Sequence, residues 1–141
     1  MGNTQSISKI NFEDMQYACK NPGNYMLINT LTPIEQDCLI VGTVSANSEE
    51  GLINKYLTTN KNIQIIIYGK NCNDTKIYDK YNQLSGLGFM KIFLYTGGMF
   101  EWLMLQDIYG IDDFPTTKKQ LDFIKYKPCQ QMNIGLLEYS H

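Results

Sequence analysis

Short apolar runs alternate with segments of helical periodicity along most of the sequence. Ile63–Tyr68 is the clearest run, because it is long enough for a buried strand and leads directly into a polar loop. Similar runs occur at Tyr25–Ile28, Leu39–Val44 and Ile92–Tyr95. Strands that alternate with helices pair in parallel, and strands that are apolar on both faces need helices on both faces of the sheet. The sequence therefore predicts an α/β sandwich.

Helix signals separate and follow these runs. Asn11 can cap a helix that runs to about Lys20, because Asp14 stands three residues after it in the position of a capping box. In the other helical segments, apolar residues recur three or four positions apart. These helices begin near Ser48, at Asp74 or Thr75 and after Gly97-Gly98, and a last one includes Leu121 and Ile124.

Length and charge exclude several classes of function. A chain of 141 residues fits one domain, and its net charge of −2 gives no electrostatic support for binding nucleic acid. All twelve basic residues are lysines, so no arginine can form a bidentate clamp on a phosphate or sulfate group. We expect neither a metal nor a cofactor, since the only histidine is His141 and no cysteines form a CxxC pair.

The two ends of the chain differ from the predicted domain at 8–127. Residues 1–7 form a flexible segment, and Met1–Ser6 fits the N-myristoylation pattern with Gly2 as the acyl acceptor. The alternative is a polar tail that fits the pattern by chance. One acyl chain gives only reversible membrane binding, so we expect a cytoplasmic protein that associates transiently with membranes if Gly2 is acylated. The apolar pattern fades after Pro128, and we interpret residues 128–141 as a tail.

The functional site is expected where three strand ends converge. In parallel sheets, ligands bind beyond the carboxyl ends of the strands. Here these ends are Asn29–Leu31, Gly69–Asp74 and Thr96–Gly98. The central loop consists of Gly69, Lys70, Asn71, Cys72, Asn73, Asp74 and Thr75. Its peptide N–H groups precede a helix start and can bind an anion. The alternative is an ordinary connection between a strand and a helix.

Cys72 is the candidate catalytic residue in this loop. The positive end of a helix dipole favours a thiolate, which would make Cys72 nucleophilic, although Asp74 adds an opposing charge nearby. The alternative is a small polar residue with no chemical role. The other cysteines, Cys19, Cys38 and Cys129, are expected to be free thiols in a reducing compartment.

The order of several sequence pieces resembles the rhodanese domain. The pieces are Met26–Asn29, Leu39–Thr43, Ile65–Tyr68, Leu87–Phe89 and Gly97–Trp102. Together with the loop after Tyr68 and Phe114–Thr117, they extend the resemblance over about residues 8–117. It implies a three-layer fold with a central, mainly parallel sheet of about five strands. In active members, the cysteine that carries the persulfide directly follows the central strand, and that position is Gly69 here.

Two functions follow from this resemblance. The first is a rhodanese-like domain without the standard sulfurtransferase activity, which binds a partner protein or a small anion at the Gly69–Thr75 loop. It rests on Gly69, on the absence of arginine, and on Asn29–Leu31 in place of the family's Asp-Val-Arg run. The alternative is a thiosulfate-type sulfurtransferase in which the displaced Cys72 carries the persulfide. In that case Lys70 or Lys76 would hold the anionic sulfur donor.

Overall fold

Four parallel strands form one sheet in the computed structural model, which describes residues 6–132. The order across the sheet is β1-β4-β3-β2, so β4 and β3 lie in its centre. The strands are β1 (Ser8–Ile10), β2 (Tyr25–Asn29), β3 (Gln64–Tyr68) and β4 (Ile92–Tyr95). The predictions for Gly2 and for residues 133–141 of the tail lie outside the described residues.

The expectation of about five strands is wrong, because residues 6–132 contain four. The predicted strand at Leu39–Val44 makes only two isolated bridges, between Ile40 and Thr116 and between Thr43 and Leu27. Gly42 interrupts the extended backbone with a φ of 96°, and the Thr43 N–H turns back to donate to the Ile40 carbonyl at 3.1 Å. A turn therefore replaces the predicted strand.

Within residues 6–132, four helices cover the sheet. They are α1 (Phe12–Lys20), α2 (Ala46–Thr59), α3 (Lys76–Gly86) and α4 (Gly98–Tyr109). The capping box of α1 forms as predicted, since the Asp14 N–H donates to Asn11 Oδ1 at 3.1 Å and the Asn11 N–H donates to Asp14 Oδ2 at 3.3 Å. α2 begins after Ser45, three residues before the predicted Ser48.

The predicted last helix around Leu121 and Ile124 is wrong. A short 3₁₀ turn, Phe123–Tyr126, takes its place, and Leu121 lies before it with 74% of its surface exposed. Tyr126 is buried, and the Phe123 ring packs against Phe100 of α4 with ring centroids 6.3 Å apart. Packing against α4 therefore contributes to the position of this turn. A second 3₁₀ turn, Pro33–Asp37, follows β2.

The sheet has an apolar layer on each face, because successive side chains of a strand point to opposite faces. Leu27, Ile66 and Tyr95 face the layer that contains α1 and α4, where Trp102 is fully buried. The neighbouring residues of the same strands face the layer that contains α2 and α3. The prediction of helices on both faces of a parallel sheet is thus confirmed. This arrangement leaves the carboxyl edge of the sheet to the connecting loops.

Candidate functional site

The three predicted strand ends lie side by side at the carboxyl edge of the sheet. The register pairs Asn29 with Tyr68 and Tyr68 with Tyr95, so β2, β3 and β4 end at the same level. The Thr30 N–H continues the ladder by donating to the Tyr68 carbonyl at 3.0 Å. The loops that follow these strands therefore start from adjacent positions.

The start of α4 packs directly on the central loop. The Met99 N–H donates to the Gly69 carbonyl at 3.0 Å, and the Phe100 N–H donates to the Lys70 carbonyl at 2.9 Å. This close approach requires glycine at position 98. Gly98 has a φ of 68°, and a Cβ there would lie 2.7 Å from the Gly69 oxygen and 2.9 Å from the Asn71 nitrogen. The first free N–H groups of α4 are thus used inside the protein.

The carboxylate of Asp74 occupies the centre of the loop. Asp74 Oδ2 accepts hydrogen bonds from the Lys70 N–H at 3.0 Å and from Thr30 Oγ1 at 3.1 Å. Asp74 Oδ1 accepts from the Lys76 N–H at 2.9 Å and so caps the first turn of α3. The Lys70 N–H, one of the loop N–H groups that the sequence suggested for an external anion, is therefore bound to an internal one.

Gly69 lies directly beneath this carboxylate. A Cβ at position 69 would overlap with Asp74 Oδ2 and would lie 2.7 Å from its Cγ and 2.9 Å from Thr30 Oγ1. Contacts this short force a neighbour to move. Any residue larger than glycine here would displace the Asp74 side chain.

Asn71 anchors the loop to the C-terminal part of the chain. Its side chain is 8% exposed, and Nδ2 donates to the Tyr126 carbonyl at 2.9 Å. Its Oδ1 accepts the Asn73 N–H at 2.9 Å, and its carbonyl accepts the Asp74 N–H at 3.1 Å. One side chain thus fixes both the shape of the loop and the position of the 3₁₀ turn.

A pocket of about 380 Å³ opens beside the loop. It is formed by the segment after β2, the loop after β3, the start of α3 and the segment after Pro128. The residues around it are Thr30, Leu31, Thr32, Glu35, Lys70, Asn71, Asn73, Asp74, Lys76, Cys129 and Gln131. The structure therefore brings four of the seven predicted loop residues to this pocket, while Gly69, Cys72 and Thr75 do not line it.

Two of the four charged side chains around the pocket form an ion pair. Lys70 Nζ lies 3.1 Å from Glu35 Oε2, in an ion pair that is more buried on the glutamate side. Burial alone would raise the pKa of Glu35, but hydrogen bonds from Thr32 and Lys70 outweigh it and hold the pKa below its ordinary value. Glu35 is therefore ionised at neutral pH, and it balances the charge of Lys70.

The thiol of Cys72 lies outside the pocket. Cys72 is exposed, and its Sγ lies 3.8 Å from Asn73 Oδ1. Cys129 is also exposed, but it lines the pocket. Cys19 and Cys38 are removed from the loop: Cys19 Sγ lies 3.5 Å from the Val41 carbonyl, and the buried Cys38 Sγ lies 3.2 Å from the Lys118 carbonyl.

Several pocket residues were missed in the sequence. Glu35 lies in the 3₁₀ turn after β2, and Cys129 and Gln131 lie in a stretch without periodicity. No local pattern signals them, because they reach the pocket through long-range packing. For Glu35, the only available signal was its position shortly after a strand end.

The fold resembles that of several solved structures. The single-domain sulfurtransferase RDL2 of Saccharomyces cerevisiae matches with a TM-score of 0.58 and 15% identity, over 77% of this chain and 98% of that one. The Alr3790 protein from Anabaena sp. matches with a TM-score of 0.56 and 17% identity, over 94% and 90% of the two chains. The solution structure of the rhodanese-like domain of Alr3790 matches with a TM-score of 0.54 and 17% identity, over 89% and 88%.

The chain has a rhodanese-like fold. At 15% to 17% identity these matches show the fold alone, so the activity of RDL2 is not carried over to this chain. No model of a known protein family matches the sequence, and no curated protein matches it significantly. The rhodanese-like fold places the Gly69–Thr75 loop at the carboxyl end of a central strand, which is where the resemblance in the sequence placed it.

Residues 6–132 contain neither a cluster of metal-binding side chains nor a membrane-spanning helix. No group of three or more histidine, cysteine, aspartate or glutamate side chains in this part of the chain is arranged to hold a metal ion. Likewise, none of the helices described here is long and apolar enough to cross a membrane.

Proposed function

We propose that this protein is a rhodanese-like domain that does not transfer sulfur and instead binds a partner protein at the pocket beside the Gly69–Thr75 loop. The observation that carries the proposal is the Asp74 carboxylate, which fills the centre of the loop above Gly69. In the resembling family, a persulfide on the residue at this position is the reacting group. Here the position has no side chain, and an internal carboxylate takes the place of the substrate anion.

The position of Cys72 supports the same proposal. A persulfide carrier needs its sulfur within reach of loop N–H groups that stabilise the anionic donor. The Cys72 thiol is exposed and lies beside the Asn73 side chain, outside the pocket. The Lys70 N–H, which could have bound a donor, is already paired with Asp74.

The composition of the pocket favours a protein segment over a small anion. Lys70 is paired with Glu35, and the Asp74 carboxylate would repel a second anion at the loop centre. Asn73 and Gln131, which are exposed at the pocket, carry side-chain amides with both donors and acceptors. A polar peptide segment carries both kinds of group, whereas sulfate or thiosulfate carries acceptors only.

Sulfur transfer from thiosulfate to cyanide tests the absence of catalysis. We expect the wild-type protein to form thiocyanate no faster than the protein-free mixture, and we expect Cys72→Ser to behave identically. Mass spectrometry after thiosulfate treatment should show no persulfide on Cys72. Turnover that Cys72→Ser abolishes, together with a persulfide on Cys72, would establish the sulfurtransferase instead.

Binding through the pocket requires a second experiment with a matched control. Lys76→Glu changes one charge at the pocket, and Lys91→Glu makes the same change at an exposed residue before β4, at the opposite edge of the sheet. We expect Lys91→Glu and wild type to retain the same partner, identified by quantitative mass spectrometry and confirmed with the purified pair. Lys76→Glu should weaken binding of the purified partner about ten-fold. Equal binding by both variants, or saturable binding of sulfate at Lys70 and Lys76 by NMR, would contradict the proposal.

We also propose Gly2 as the acceptor of an N-terminal myristoyl group. The proposal rests on the Met1–Ser6 pattern alone, because residues 1–5 lie outside the described part of the chain. Co-expression with an N-myristoyltransferase should add the mass of one myristoyl group to the wild type and none to Gly2→Ala. An unmodified wild type under these conditions would refute the proposal.

A further inference from the structure

Two exposed cysteines lie on segments that a hydrogen bond joins. Cys72 follows Asn71 in the loop, and Asn71 Nδ2 donates to the carbonyl of Tyr126 at 2.9 Å. Cys129 follows Tyr126 by three residues and lines the pocket together with Asn71 and Asn73, the two neighbours of Cys72 in the chain. The loop and the C-terminal segment are thus held together close to both thiols.

The two sulfur atoms can meet only if the segment that carries Cys129 moves, because the Cys72 thiol lies outside the pocket that Cys129 lines. Cys129 is three residues from the anchored Tyr126, and three residues span at most about 10 Å when extended, which limits how far Cys129 can move. A disulfide needs Cα atoms about 4.4–6.8 Å apart. The Cys72 Sγ already lies 3.8 Å from the side chain of Asn73, which borders the same pocket as Cys129.

The segment that carries Cys129 can move without disturbing the core. Within the described residues, the side-chain hydrogen bonds of 128–132 are local: Gln130 donates to the Met132 carbonyl and Gln131 donates to the Cys129 carbonyl. Residues 129–132 are exposed, whereas the preceding Tyr126 is buried. Moving this segment therefore costs little compared with moving any residue of the sheet or the helices.

We propose that Cys72 and Cys129 form a reversible intramolecular disulfide through exchange with a small-molecule disulfide such as oxidised glutathione. The thiolate of one cysteine attacks the small disulfide, forms a mixed disulfide and releases one glutathione thiolate. The second cysteine thiolate then attacks the protein sulfur of that mixed disulfide and releases the other glutathione thiolate. Two protein thiols are oxidised by two electrons, two protons go to solvent or to the released thiolates, and one small disulfide is reduced to two thiols.

The remaining two cysteines do not compete for this reaction. Burial raises the pKa of Cys19 to about 11, and burial also raises the pKa of Cys38. Both thiols therefore stay protonated at neutral pH, and the thiolate is the form that attacks a disulfide. They serve as internal controls for the selectivity of the bond.

The bond would fix residues 128–132 across the pocket, so it adds a redox control to the proposed function and rests on the same site. Its chemistry does not require a partner or an activity. A test of the bond can therefore fail while the proposed binding stands, and the binding test can fail while the bond forms.

The experiment treats the full chain, at low concentration, with oxidised glutathione, then blocks free thiols and identifies the products by non-reducing peptide mass spectrometry. We expect a monomer that is lighter than the reduced protein by two hydrogen atoms. Its digest should contain one cross-linked peptide pair, which joins Cys72 to Cys129. A thiol reductant should reverse this cross-link. Cys72→Ser and Cys129→Ser should each instead keep glutathione on the remaining exposed cysteine. Asn71→Ala, which removes the tether but keeps both thiols, should slow cross-linking about ten-fold through a lower effective concentration.

Two results would overturn the proposal. One is a wild-type protein that carries glutathione on Cys72 and Cys129 separately, without a cross-link. The other is a cross-link that includes Cys19 or Cys38, since it would show that the less exposed thiols react first.

Discussion

One side chain, Asp74, decides what the Gly69–Thr75 loop can do. Its carboxylate accepts hydrogen bonds from three donors, which belong to Lys70, Thr30 and Lys76. It also occupies the space that a side chain at position 69 would need. The same loop with a smaller residue at 74 would present free N–H groups to solvent. The difference between a binding loop and a catalytic one therefore depends on this residue as much as on the glycine.

Removing the Asp74 carboxylate should destabilise the protein. Asp74→Ala leaves the N–H groups of Lys70 and Lys76 and the hydroxyl of Thr30 without their acceptor, which costs about 1–3 kcal/mol of unfolding free energy. Urea denaturation measures this loss. The matched control, Asp112→Ala, removes an exposed carboxylate and should change stability by less than about 0.5 kcal/mol. Equal stability of the Asp74→Ala variant and the wild type would show that water replaces the carboxylate at no cost.

Position 69 should tolerate a side chain better when the Asp74 carboxylate is removed. Gly69→Cys alone forces a Cβ into Asp74 and Thr30, and such overpacking costs about 1–3 kcal/mol. In the Asp74→Ala background the same substitution should cost less, by at least about 0.5 kcal/mol. A double-mutant cycle in urea measures this coupling. Gly51→Cys, where a Cβ meets no atom within 4 Å, serves as the control. Additive effects of Gly69→Cys and Asp74→Ala would show that the carboxylate is not the obstacle.

The sequence identified the position of Gly69 but not the role of Asp74. The apolar run before Gly69 and the resemblance to the rhodanese domain were enough to locate the loop. The bond between Thr30 and Asp74, by contrast, joins residues 44 positions apart in the chain. No periodicity or local motif reports such a contact, so the sequence interpretation treated Asp74 as a loop residue, a helix start and a charge near Cys72, but not as the centre of the loop.

Secondary structure with a strong local signal was predicted well. β4 and the start of α1 match the predicted residues, since one is an uninterrupted apolar run and the other carries a capping box. The short edge strand β1 was missed, because two of its three residues, Ser8 and Lys9, are polar and exposed. The prediction of a strand at Leu39–Val44 was wrong for the opposite reason. The composition of this segment suits a strand, but Gly42 turns the backbone.

The 3₁₀ turn Phe123–Tyr126 should depend on Asn71 rather than on its own sequence. Asn71→Ala removes the hydrogen bond to the Tyr126 carbonyl and leaves the Asn73 N–H without its acceptor. We expect faster hydrogen exchange at the Lys127 amide, which donates to the Ile124 carbonyl within this turn. Exchange in β3 should stay unchanged. Asn73→Ala, an exposed neighbour, is the control, and unchanged exchange at Lys127 in Asn71→Ala would show that packing on Phe100 alone holds the turn.

At the scale of the whole fold, three tyrosines and one cysteine of residues 6–132 are buried, and a second cysteine, Cys19, is partly buried. These five groups, each of which can lose a proton, are Tyr68, Tyr95, Tyr126, Cys19 and Cys38. Burial raises the pKa of each one, to about 12 for Tyr126 and to about 11 for Cys19. The layers on both faces of the sheet keep these groups neutral, while the unfolded chain lets them ionise in alkaline solution.

Stability should therefore fall in alkaline solution from about pH 9 upwards. Unfolded cysteine and tyrosine lose their protons near pH 9.0 and 10.0, whereas folded Cys19 and Tyr126 keep theirs to about 11 and 12. Between these values the folded state binds more protons, so its advantage is complete below pH 9 and declines by about 1.4 kcal/mol per pH unit for each group. Urea midpoints from pH 8 to 11 measure the decline. Tyr126→Phe should make it shallower and the exposed Tyr109→Phe should not, and a midpoint that stays constant to pH 11 would contradict the burial of these groups.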